Sequence, residues 1–575
     1  MTSRMVFLVI SAVTVTASIE LASGCSATPT NTFPGGSGGG TTNTGSGQGG
    51  DDIGFDSGVG GHNSSSGGVP QTCADAITNQ SYIGCEYWPT VTSNAGLYTG
   101  FEYAITAANP TASMATVKVE RGASVIKQVD IAPGQLETIK LPWVPELKGS
   151  DPTFDGSGIT SALVSKGAYK VTSTVPITLY QFNPLEFELS PAPSDCDDGS
   201  GNCNSYTNDA SLVLPKSALR GEYYVMGYPT MHIGQASIFE TTWVNSPGFV
   251  SITATEDGTQ VTVDSTSHVR SGPSVAAMSA GQKGTYNLNA GDVLQLVSGS
   301  PANGPTPTAT QQCIEDFLQG ITYCPTAPSY DLTGSHITAT KPVSVIGGHD
   351  CTFVPFSNFA CDHLEESLFP VETLGKDLIV TAPISVASIG QKPGSPDNMY
   401  VRVLSAADSN EISFDPPVHA PVTLGAGKWL EIGPVKQDFR VKASDRVLVG
   451  QYMVGQNFGT TPAEAGDPSF SIGIPTEQYR LEYSFLAPTT YTHNIVNVVT
   501  KTGANITIDG AAIPANEFTP IGGTGMSVAR HVISGGAHRM VGDQNFGIVV
   551  YGYGSYTSYM YPGGLNLETI IIVPD

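Results

Sequence analysis

The chain has 575 residues, of which only 13% are charged, about half the charged share of an ordinary soluble domain. Fifty acidic residues against 25 Lys and Arg leave a formal net charge of −25, which excludes a surface built to neutralise a phosphate backbone, so we expect no nucleic-acid partner. Hydrophobic residues make up 40% of the chain, enough for a large core, and this excludes disorder along most of its length.

The first 24 residues have the pattern of an export signal. Arg4 precedes the apolar run MVFLVISAVTV, which is shorter than the about 20 residues that a membrane span requires. The run leads to LASGC, ending at Cys25, which resembles the lipobox of bacterial lipoproteins, where the cysteine is acylated. We predict a signal peptide at 1–24 and lipidation of Cys25, with an ordinary secretory signal as the alternative. The expected location is the outer membrane or cell surface, with membrane contact through the lipid anchor only.

Residues 25–71 follow as a tether rich in Gly, Ser, Thr and Asn, with almost no apolar side chains to bury. A flexible chain of about 46 residues has an r.m.s. reach of roughly 40 Å. This length predicts a folded region, 72–575, that stands away from its membrane.

Eight cysteines remain after Cys25, and they fall into four couples of near neighbours. An even, clustered set is typical of disulfides in an oxidising compartment, so we predict four short-range bridges. No couple has the CxxC spacing of a zinc knuckle or a redox motif. The predicted pairs are Cys73 with Cys85, Cys196 with Cys203, Cys313 with Cys324, and Cys351 with Cys361.

Alternating, β-branched segments punctuated by Gly, Pro, Asn and Asp predict an all-β fold. One short phrase, a turn that leads into an alternating strand, recurs three times: Asp257–Asp264 (DGTQVTVD), Asp408–Asp415 (DSNEISFD) and Thr502–Asp509 (TGANITID). Repetition of this kind is typical of duplicated β modules.

A second phrase, an alternating strand followed by a small polar kink and a more buried strand, recurs four times. Together the phrases predict about four tandem β-sandwich-like modules packed into one body, at roughly 85–190, 205–355, 365–460 and 475–570. Closure of the repeats into a propeller-like or ring assembly is the alternative. The copies are YKVTSTVPITLYQFNP from Tyr169, HITATKPVSVIGGHDC from His336, FRVKASDRVLVGQYMVGQ from Phe439 and HRMVGDQNFGIVVYGYG from His538.

Several phrases occur in the order found in a known family. They are NDASLVLP from Asn208, the segment from Asp331 through GSHITATKPVSVIGGHDC, CDHLEE from Cys361, and IVVYGYGSYTSYMYPGG before Leu565. Over roughly residues 85–570 the chain resembles the IgGFc-binding protein N-terminal domain family, whose members include bacterial surface lipoproteins. The resemblance implies a surface-binding role and supplies no catalytic or contact residue.

A symmetric pair of motifs, His349-Asp-Cys and Cys361-Asp-His-Leu-Glu-Glu, flanks the fourth cysteine couple. If the disulfide bridges neighbouring antiparallel strands, His349 lies opposite His363. Two imidazoles with Glu365 nearby could hold a divalent metal or act as a proton-sensitive clasp. The alternative is that the histidines bond to loop carbonyls.

Two further features suggest ligand sites. The loop from Asp195 to Cys203, with Asn208 and Asp209 after it, is rich in the oxygen ligands that Ca²⁺ prefers, although a pinned acidic loop that satisfies its own turn is the alternative. Aromatic residues could form a glycan- or protein-binding face, or fill the core instead. They are Trp88, Trp143, Trp243, Trp429, Tyr551, Tyr553, Tyr556, Tyr559 and Tyr561.

No catalytic motif stands out, so we expect a protein that is not an enzyme and needs no cofactor beyond the metal considered above. The favoured function is display of a β-rich surface that binds an extracellular glycoprotein, matrix or surface polymer. One alternative is a secreted hydrolase of polysaccharide or protein, with the acids near His349 and His363 as its centre. The other is an envelope or matrix protein that associates with itself.

Overall fold

A computed structural model describes residues 68–149, 158–196, 203–236, 240–306, 309, 311–318, 320–456, 458 and 465–572. These residues belong to one compact unit, Ser64–Asp575. The predicted all-β fold is confirmed, because the described helices are short and the body is made of antiparallel sheets. Cys25 and the predicted signal peptide lie outside the described residues, as does most of the tether. No helix in the described part has the length and apolar character of a membrane span.

The first module contains both α-helices of the described chain and the first ten strands. Thr72 caps the first helix by accepting a hydrogen bond from Asp75 N. The elements are α1 (Cys73–Asn79), β1 (Gly84–Tyr87), β2 (Tyr103–Ala108), β3 (Ala115–Arg121), β4 (Ser124–Ile131), β5 (Leu136–Leu141), α2 (Pro145–Lys148), β6 (Ala162–Val164), β7 (Lys170–Asn183), β8 (Glu188–Leu189), β9 (Cys203–Asn204) and β10 (Asp209–Leu212).

The second module adds a separate four-stranded sheet, of order β13-β12-β19-β18, to the common pattern. Its strands are β11 (Arg220–Tyr224), β12 (Met231–Ala236), β13 (Thr241–Ser246), β14 (Gly248–Ala254), β15 (Thr259–Asp264), β16 (Lys283–Leu288), β17 (Val293–Val297), β18 (Ile314–Asp316), β19 (Ile321–Cys324), β20 (His336–Thr352) and β21 (Asp362–Ser367).

The third and fourth modules are more regular. The third consists of β22 (Asp377–Val380), β23 (Met399–Ser405), β24 (Asn410–Asp415), β25 (Val422–Leu424), β26 (Trp429–Val435), β27 (Phe439–Ala443), β28 (Val447–Met453) and β29 (Phe470–Ile472). The fourth consists of β30 (Arg480–Ala487), β31 (His493–Lys501), β32 (Ile506–Ile508), β33 (Ala511–Ala512), β34 (Phe518–Ile521), β35 (Met526–Ile533), β36 (Gly536–Gly554) and β37 (Thr557–Pro562).

The same pairing order recurs in all four modules. The second predicted phrase forms the long strands β7, β20 and β36, and in the third module the consecutive strands β27 and β28. In each module the first part of this strand pairs with two other strands, and the second part pairs with one. The first part pairs with β1 and β3, β11 and β15, β22 and β24, and β30 and β32 in the four modules, and the second part pairs with β2, β14, β23 and β31. A strand that passes from one sheet to the other in this way forms the corner of a sandwich. The first predicted phrase forms β15, β24 and β32, each of which pairs with the first part of the long strand.

One short strand from each module lies at the centre of the body. β10, β21, β29 and β37 each pair with the end of the long strand before them. β10 contacts β21 and β37, and β29 contacts the same two strands. Every residue of these four strands is buried. The sandwich-like modules are therefore arranged in a closed cycle around a common centre.

The cycle closes where the first module meets the fourth. Tyr82 N donates to Leu565 O at 3.1 Å, and Leu567 N donates to Gln80 O at 2.6 Å. Ser81 and Asn566 form the antiparallel bridge between these two contacts. The segment before β1 is thus hydrogen-bonded to the segment after β37.

The predicted disulfides are confirmed in all four couples, Cys73–Cys85, Cys196–Cys203, Cys313–Cys324 and Cys351–Cys361. Each bridge joins residues that are 7 to 12 positions apart. The bridges therefore close local loops, and the association of the modules depends on packing and hydrogen bonds.

Candidate functional site

Asp209 joins the four central strands through a single carboxylate. From β10 it accepts hydrogen bonds from Glu365 N of β21 at 3.1 Å, Phe470 N of β29 at 3.3 Å and Met560 N of β37 at 3.4 Å. Ser469 Oγ also donates to it, at 2.8 Å. Burial raises the pKa of Asp209, while these hydrogen bonds favour its charged form. This residue connects all four modules at the centre.

Three more acids surround this point, and all are buried. Asp362 Oδ1 accepts from Asn208 N and from His363 N, and Glu366 Oε1 accepts from Leu212 N at 3.2 Å. Burial is the main cause that raises the pKa values of Asp362, Glu366 and Asp467, and the acids near Asp362 and Glu366 raise those two further. The centre of the molecule is acidic but closed to solvent.

The predicted opposition of His349 and His363 is wrong. His349 pairs with Leu364, because the β20–β21 ladder shifts register between His349 and Thr352. His349 Nδ1 accepts from Cys351 N at 3.2 Å, and Nε2 lies 3.0 Å from the carbonyl oxygen of Pro229. Burial lowers the pKa of His349 to about 3. Its imidazole is therefore neutral, and both nitrogens contact backbone groups.

His363 and Glu365, unlike His349, lie in one polar cluster. His363 Nε2 is 3.5 Å from Glu365 Oε2 and 3.2 Å from Thr92 Oγ1. Asn183 Nδ2 is 2.6 Å from the same Thr92 oxygen. The structure therefore does not gather the three predicted metal ligands, His349, His363 and Glu365, around one point. Among the described residues no group of three or more His, Cys, Asp or Glu is placed to hold a metal ion.

The predicted calcium loop lies largely outside the described residues, since 197–202 are not described. Asp195 is exposed, whereas Asn208 and Asp209 are buried. Asn208 Nδ2 donates to Glu186 O at 3.1 Å, and Asp209 holds the central strands as described above. Asn208 and Asp209 are thus bound to groups of the protein itself.

Most of the aromatic residues considered for a binding face pack inside the protein. Tyr551, Tyr559 and Tyr561 are fully buried, and Tyr553 is 4% exposed, so core filling is the correct interpretation for these four. Tyr556, Trp143, Trp243 and Trp429 are partly exposed, and Trp88 is buried. Trp243 stacks on His232 with ring centroids 4.6 Å apart, and Trp429 lies against the guanidinium of Arg402.

A different surface feature is the hairpin of β18 and β19, which the Cys313–Cys324 disulfide closes. Ile314 pairs with Tyr323, and Asp316 pairs with Ile321, so Phe317 and Leu318 directly follow the last paired residue of β18. At the turn Phe317 is 86% exposed and Leu318 is 98% exposed. Among the large apolar side chains of the described residues these two are the most exposed, and nearly complete exposure of adjacent Phe and Leu is unusual on a folded protein surface.

The hairpin packs against a small hydrophobic cluster. Tyr323 of β19 packs edge-on against Phe353, with ring centroids 5.6 Å apart, and Phe353 lies 5.9 Å from Phe359. Phe359 is 38% exposed and belongs to the segment that the Cys351–Cys361 disulfide closes. Two disulfide-closed segments therefore each contribute a ring to this cluster, and each exposes apolar side chains. Ile314 of β18 is 49% exposed, and we call Ile314, Phe317, Leu318 and Phe359 the apolar tip.

Sequence reasoning did not identify the apolar tip or the residues around Thr92. A signal for the tip existed, because adjacent Phe and Leu within a short cysteine loop are unusual where turn residues are expected. Thr92 and Asn183 gave no such signal, since isolated Thr and Asn are common in β proteins.

We compared the chain with protein-family models, curated proteins and solved structures to find the family to which it belongs. The family described as IgGFc binding protein matches residues 209–552, a span that starts at Asp209 and contains the apolar tip. The GH78 family rhamnosidase of Bacillus sp. GL1 aligns at 10% identity over 88% of this chain and 56% of that chain, with a TM-score of 0.10, too low to support any argument. The present chain thus spans little more than half of the rhamnosidase. No curated protein matches the sequence. Because the family match covers more than half of the chain, this protein belongs to the IgGFc binding protein family.

Proposed function

We propose that this chain is exported, anchored through lipid on Cys25, and binds an extracellular protein or glycoprotein of a matrix or cell surface through the apolar tip. The observation that carries the proposal is the exposure of Phe317 and Leu318 on a disulfide-closed hairpin. Membership of a family named for protein binding supports this class of ligand. Four disulfides support a location outside the cytoplasm, where they persist.

The apolar tip is flanked by acidic residues, which favours a partner protein whose binding pocket is surrounded by basic residues. Glu315 and Asp316 lie directly before Phe317, so two carboxylates accompany the apolar side chains. Anionic lipid headgroups would repel these carboxylates, whereas a partner protein with Lys or Arg around an apolar pocket would pair with them. Burial of one Phe or Leu side chain contributes about 1.5 to 3 kcal/mol, so the pair would be the centre of the contact.

The test is a binding screen of the purified protein against extracellular glycoproteins, matrix proteins and glycans, followed by the double variant Phe317→Ser, Leu318→Ser. We expect loss of both apolar side chains to weaken binding to a selected ligand by about 3 to 6 kcal/mol, or at least about 100-fold in Kd. The matched control is Val532→Ser, since Val532 is an exposed apolar residue of the fourth module, 42% accessible. Equal loss in both variants, or none in the double variant, would refute the tip as the binding site.

The anchor has its own test, because it concerns a residue outside the described part of the chain. Replacement of Cys25 by Ala should release the protein from the membrane fraction while leaving ligand binding in solution intact. Continued retention in membranes would show that acylation of Cys25 does not hold the protein there.

The alternative of a secreted hydrolase, with the acids near His349 and His363 as its catalytic centre, is not supported by the burial of these residues. His349, His363 and Glu365 are fully buried, so a polysaccharide or polypeptide outside the molecule cannot reach them. We therefore propose a binding role without catalysis on an external substrate.

A further inference from the structure

Two buried carboxylates, those of Asp362 and Asp467, each keep one oxygen that is not hydrogen-bonded within the described part of the chain. Asp362 Oδ1 accepts from Asn208 N and His363 N, and Asp467 accepts a backbone hydrogen bond from Gln456. Asp362 Oδ2 and Asp467 Oδ1 meet no donor among the described residues, although the two side chains are 0% and 1% exposed. A buried carboxylate oxygen without a partner is costly, so we expect a positive group to face it.

The two acids occupy equivalent positions on neighbouring central strands. Glu365 N of β21 and Phe470 N of β29 both donate to Asp209 Oδ2, at 3.1 and 3.3 Å. Asp362 lies three residues before Glu365, and Asp467 lies three residues before Phe470. Because β21 and β29 are in contact, equal steps along them bring both acids to the same end of the centre. Burial raises the pKa of Asp362, and the charge of Asp467 raises it further, which agrees with this proximity.

Neutral polar groups lie beside the same acids, around Gly455. A β-carbon added at Gly455 would lie 3.5 Å from Asp467 Oδ1 and 3.6 Å from the carbonyl oxygen of Ala360. It would also lie 2.5 Å from Asn358 Nδ2, a buried amide nitrogen that meets no acceptor in the part of the chain that the structure describes. A half-turn of the Asn358 amide would put Oδ1 in the place of Nδ2 and so turn a third oxygen toward this space.

We propose that this junction binds one Ca²⁺ ion through Asp362 Oδ2, Asp467 Oδ1, the carbonyl oxygen of Ala360 and the amide oxygen of Asn358. Ca²⁺ takes about six to eight oxygen ligands of these types in flexible geometry, and water supplies the remainder, whereas Mg²⁺ demands a near-ideal octahedron. Only two of the four protein ligands are acidic. The set therefore differs from the groups of three or more acidic, His or Cys ligands, which are absent among the described residues.

An ion explains more of the unpaired atoms than protons do. Protonation of Asp362 and Asp467 would remove their charge, but it would leave the amide nitrogen of Asn358 without an acceptor. A divalent cation neutralises both carboxylates and gives the turned amide oxygen a partner. Asn358 and Gln456 are partly exposed, so solvent and ions can approach the site from their side.

The position of the ion would connect the modules. Asp362 begins β21 of the second module, and Asp467 precedes β29 of the third. Asn208 N of the first module donates to Asp362, and Asp467 N donates to Ser558 Oγ of the fourth module at 2.8 Å. The ion would therefore strengthen contacts between modules, which the local disulfides do not span. It would also hold the segment that carries Phe359, between Asn358 and Ala360.

The experiment is a Ca²⁺ titration of the purified full-length protein after treatment with EDTA, in about 0.15 M salt, which screens weak binding to the acidic surface. Calorimetry should give one site per chain with a Kd at or below about 1 mM, the upper limit for extracellular calcium modules. The midpoint of thermal unfolding should rise as Ca²⁺ is added, because the ion binds the folded chain. Absence of both binding and a shift in the midpoint would overturn the proposal.

Variants test whether the ion binds at the proposed place. Asp467→Asn removes one charged ligand and should weaken Ca²⁺ binding at least about tenfold, since affinity depends on the charge of the ligands. The matched control is Glu366→Gln, because Glu366 is another buried acid with one unpaired oxygen, and its other oxygen accepts from Leu212 N at 3.2 Å. This control should keep the parent affinity.

A second variant tests the same site if Asp467→Asn fails to fold. Asn358→Ala changes a partly exposed residue outside the central strands and removes only a neutral ligand, so it should weaken Ca²⁺ binding while the chain still folds. Parent affinity in Asn358→Ala or in folded Asp467→Asn, or an equal loss in Glu366→Gln, would show that Ca²⁺ binds elsewhere and would overturn the assignment.

Discussion

Replacement of Asp209 tests whether one carboxylate holds the four modules at their centre. Asp209→Ala removes the acceptor for five donors, of which Ala210 N, Glu365 N and Ser469 Oγ are the shortest, at 2.9, 3.1 and 2.8 Å. Asp209→Asn keeps the shape but replaces one oxygen with an NH₂ group. Because both oxygens accept hydrogen bonds, the donors at whichever oxygen is replaced would face another donor. Both variants should therefore be destabilised.

The expected loss follows from these contacts. A buried donor left without a partner costs about 1 to 3 kcal/mol, so three short contacts amount to roughly 3 to 9 kcal/mol. Removal of the buried carboxylate also removes its own desolvation penalty, which offsets part of this sum. We expect a decrease of about 4 kcal/mol in the free energy of unfolding, a large fraction of the typical stability of a domain.

The assay is denaturant unfolding followed by tryptophan fluorescence and far-UV circular dichroism. Separation of the two curves would show that the modules no longer unfold together. Asp264→Ala is the control, because Asp264 is about half exposed and pairs with Lys283 at 3.1 Å on the surface. If Asp209→Ala and Asp209→Asn each change stability by no more than this control, the carboxylate does not join the modules.

Two further predictions concern buried charge. Arg402→Met leaves Asp331, which is buried and 2.8 Å from the guanidinium, without its partner, so the free energy of unfolding should fall by about 3 to 5 kcal/mol in denaturant titrations; a fall below about 1 kcal/mol would contradict this. Because burial lowers the folded-state pKa of His349 to about 3, only the unfolded chain binds this proton between about pH 6.5 and 3, and the folded state loses stability as pH falls through that range. At pH 5 the loss is about 2 kcal/mol, so His349→Gln should reduce the difference in unfolding free energy between pH 7.5 and pH 5 by that amount, and an unchanged difference would refute it.

Features encoded by local pattern were predictable. Alternation and the recurrent phrase at Tyr169, His336, Phe439 and His538 predicted the long strands, because side-chain period and a polar kink are properties of a single segment. The cysteine couples predicted the bridges, since residues so near in sequence meet wherever a turn or hairpin brings them together. In the third module the phrase is divided into two strands around Ser444–Arg446, which leaves the pairing order unchanged.

Features that depend on the meeting of distant segments were not predictable. The opposition of His349 and His363 assumed a regular ladder, but the register shifts between His349 and Thr352, a stretch that contains Cys351, and a bulge has no reliable signature in one sequence. Asp209 occurs in a phrase typical of the family, yet its role requires strands from three other modules. The cluster of Thr92, Asn183 and Glu365 likewise arises from three separate segments.

The bonds between Gln80–Tyr82 and Leu565–Leu567 have a consequence for how the molecule responds to force or damage. In an open row of modules the two end modules would each pack against one neighbour. In the closed cycle each module packs against two neighbours, so a module whose contacts with one neighbour fail is still held in position by the other, and the lost contacts can re-form. For a protein that is anchored and binds a ligand as proposed, this second set of contacts is expected to raise the force needed to unfold a module.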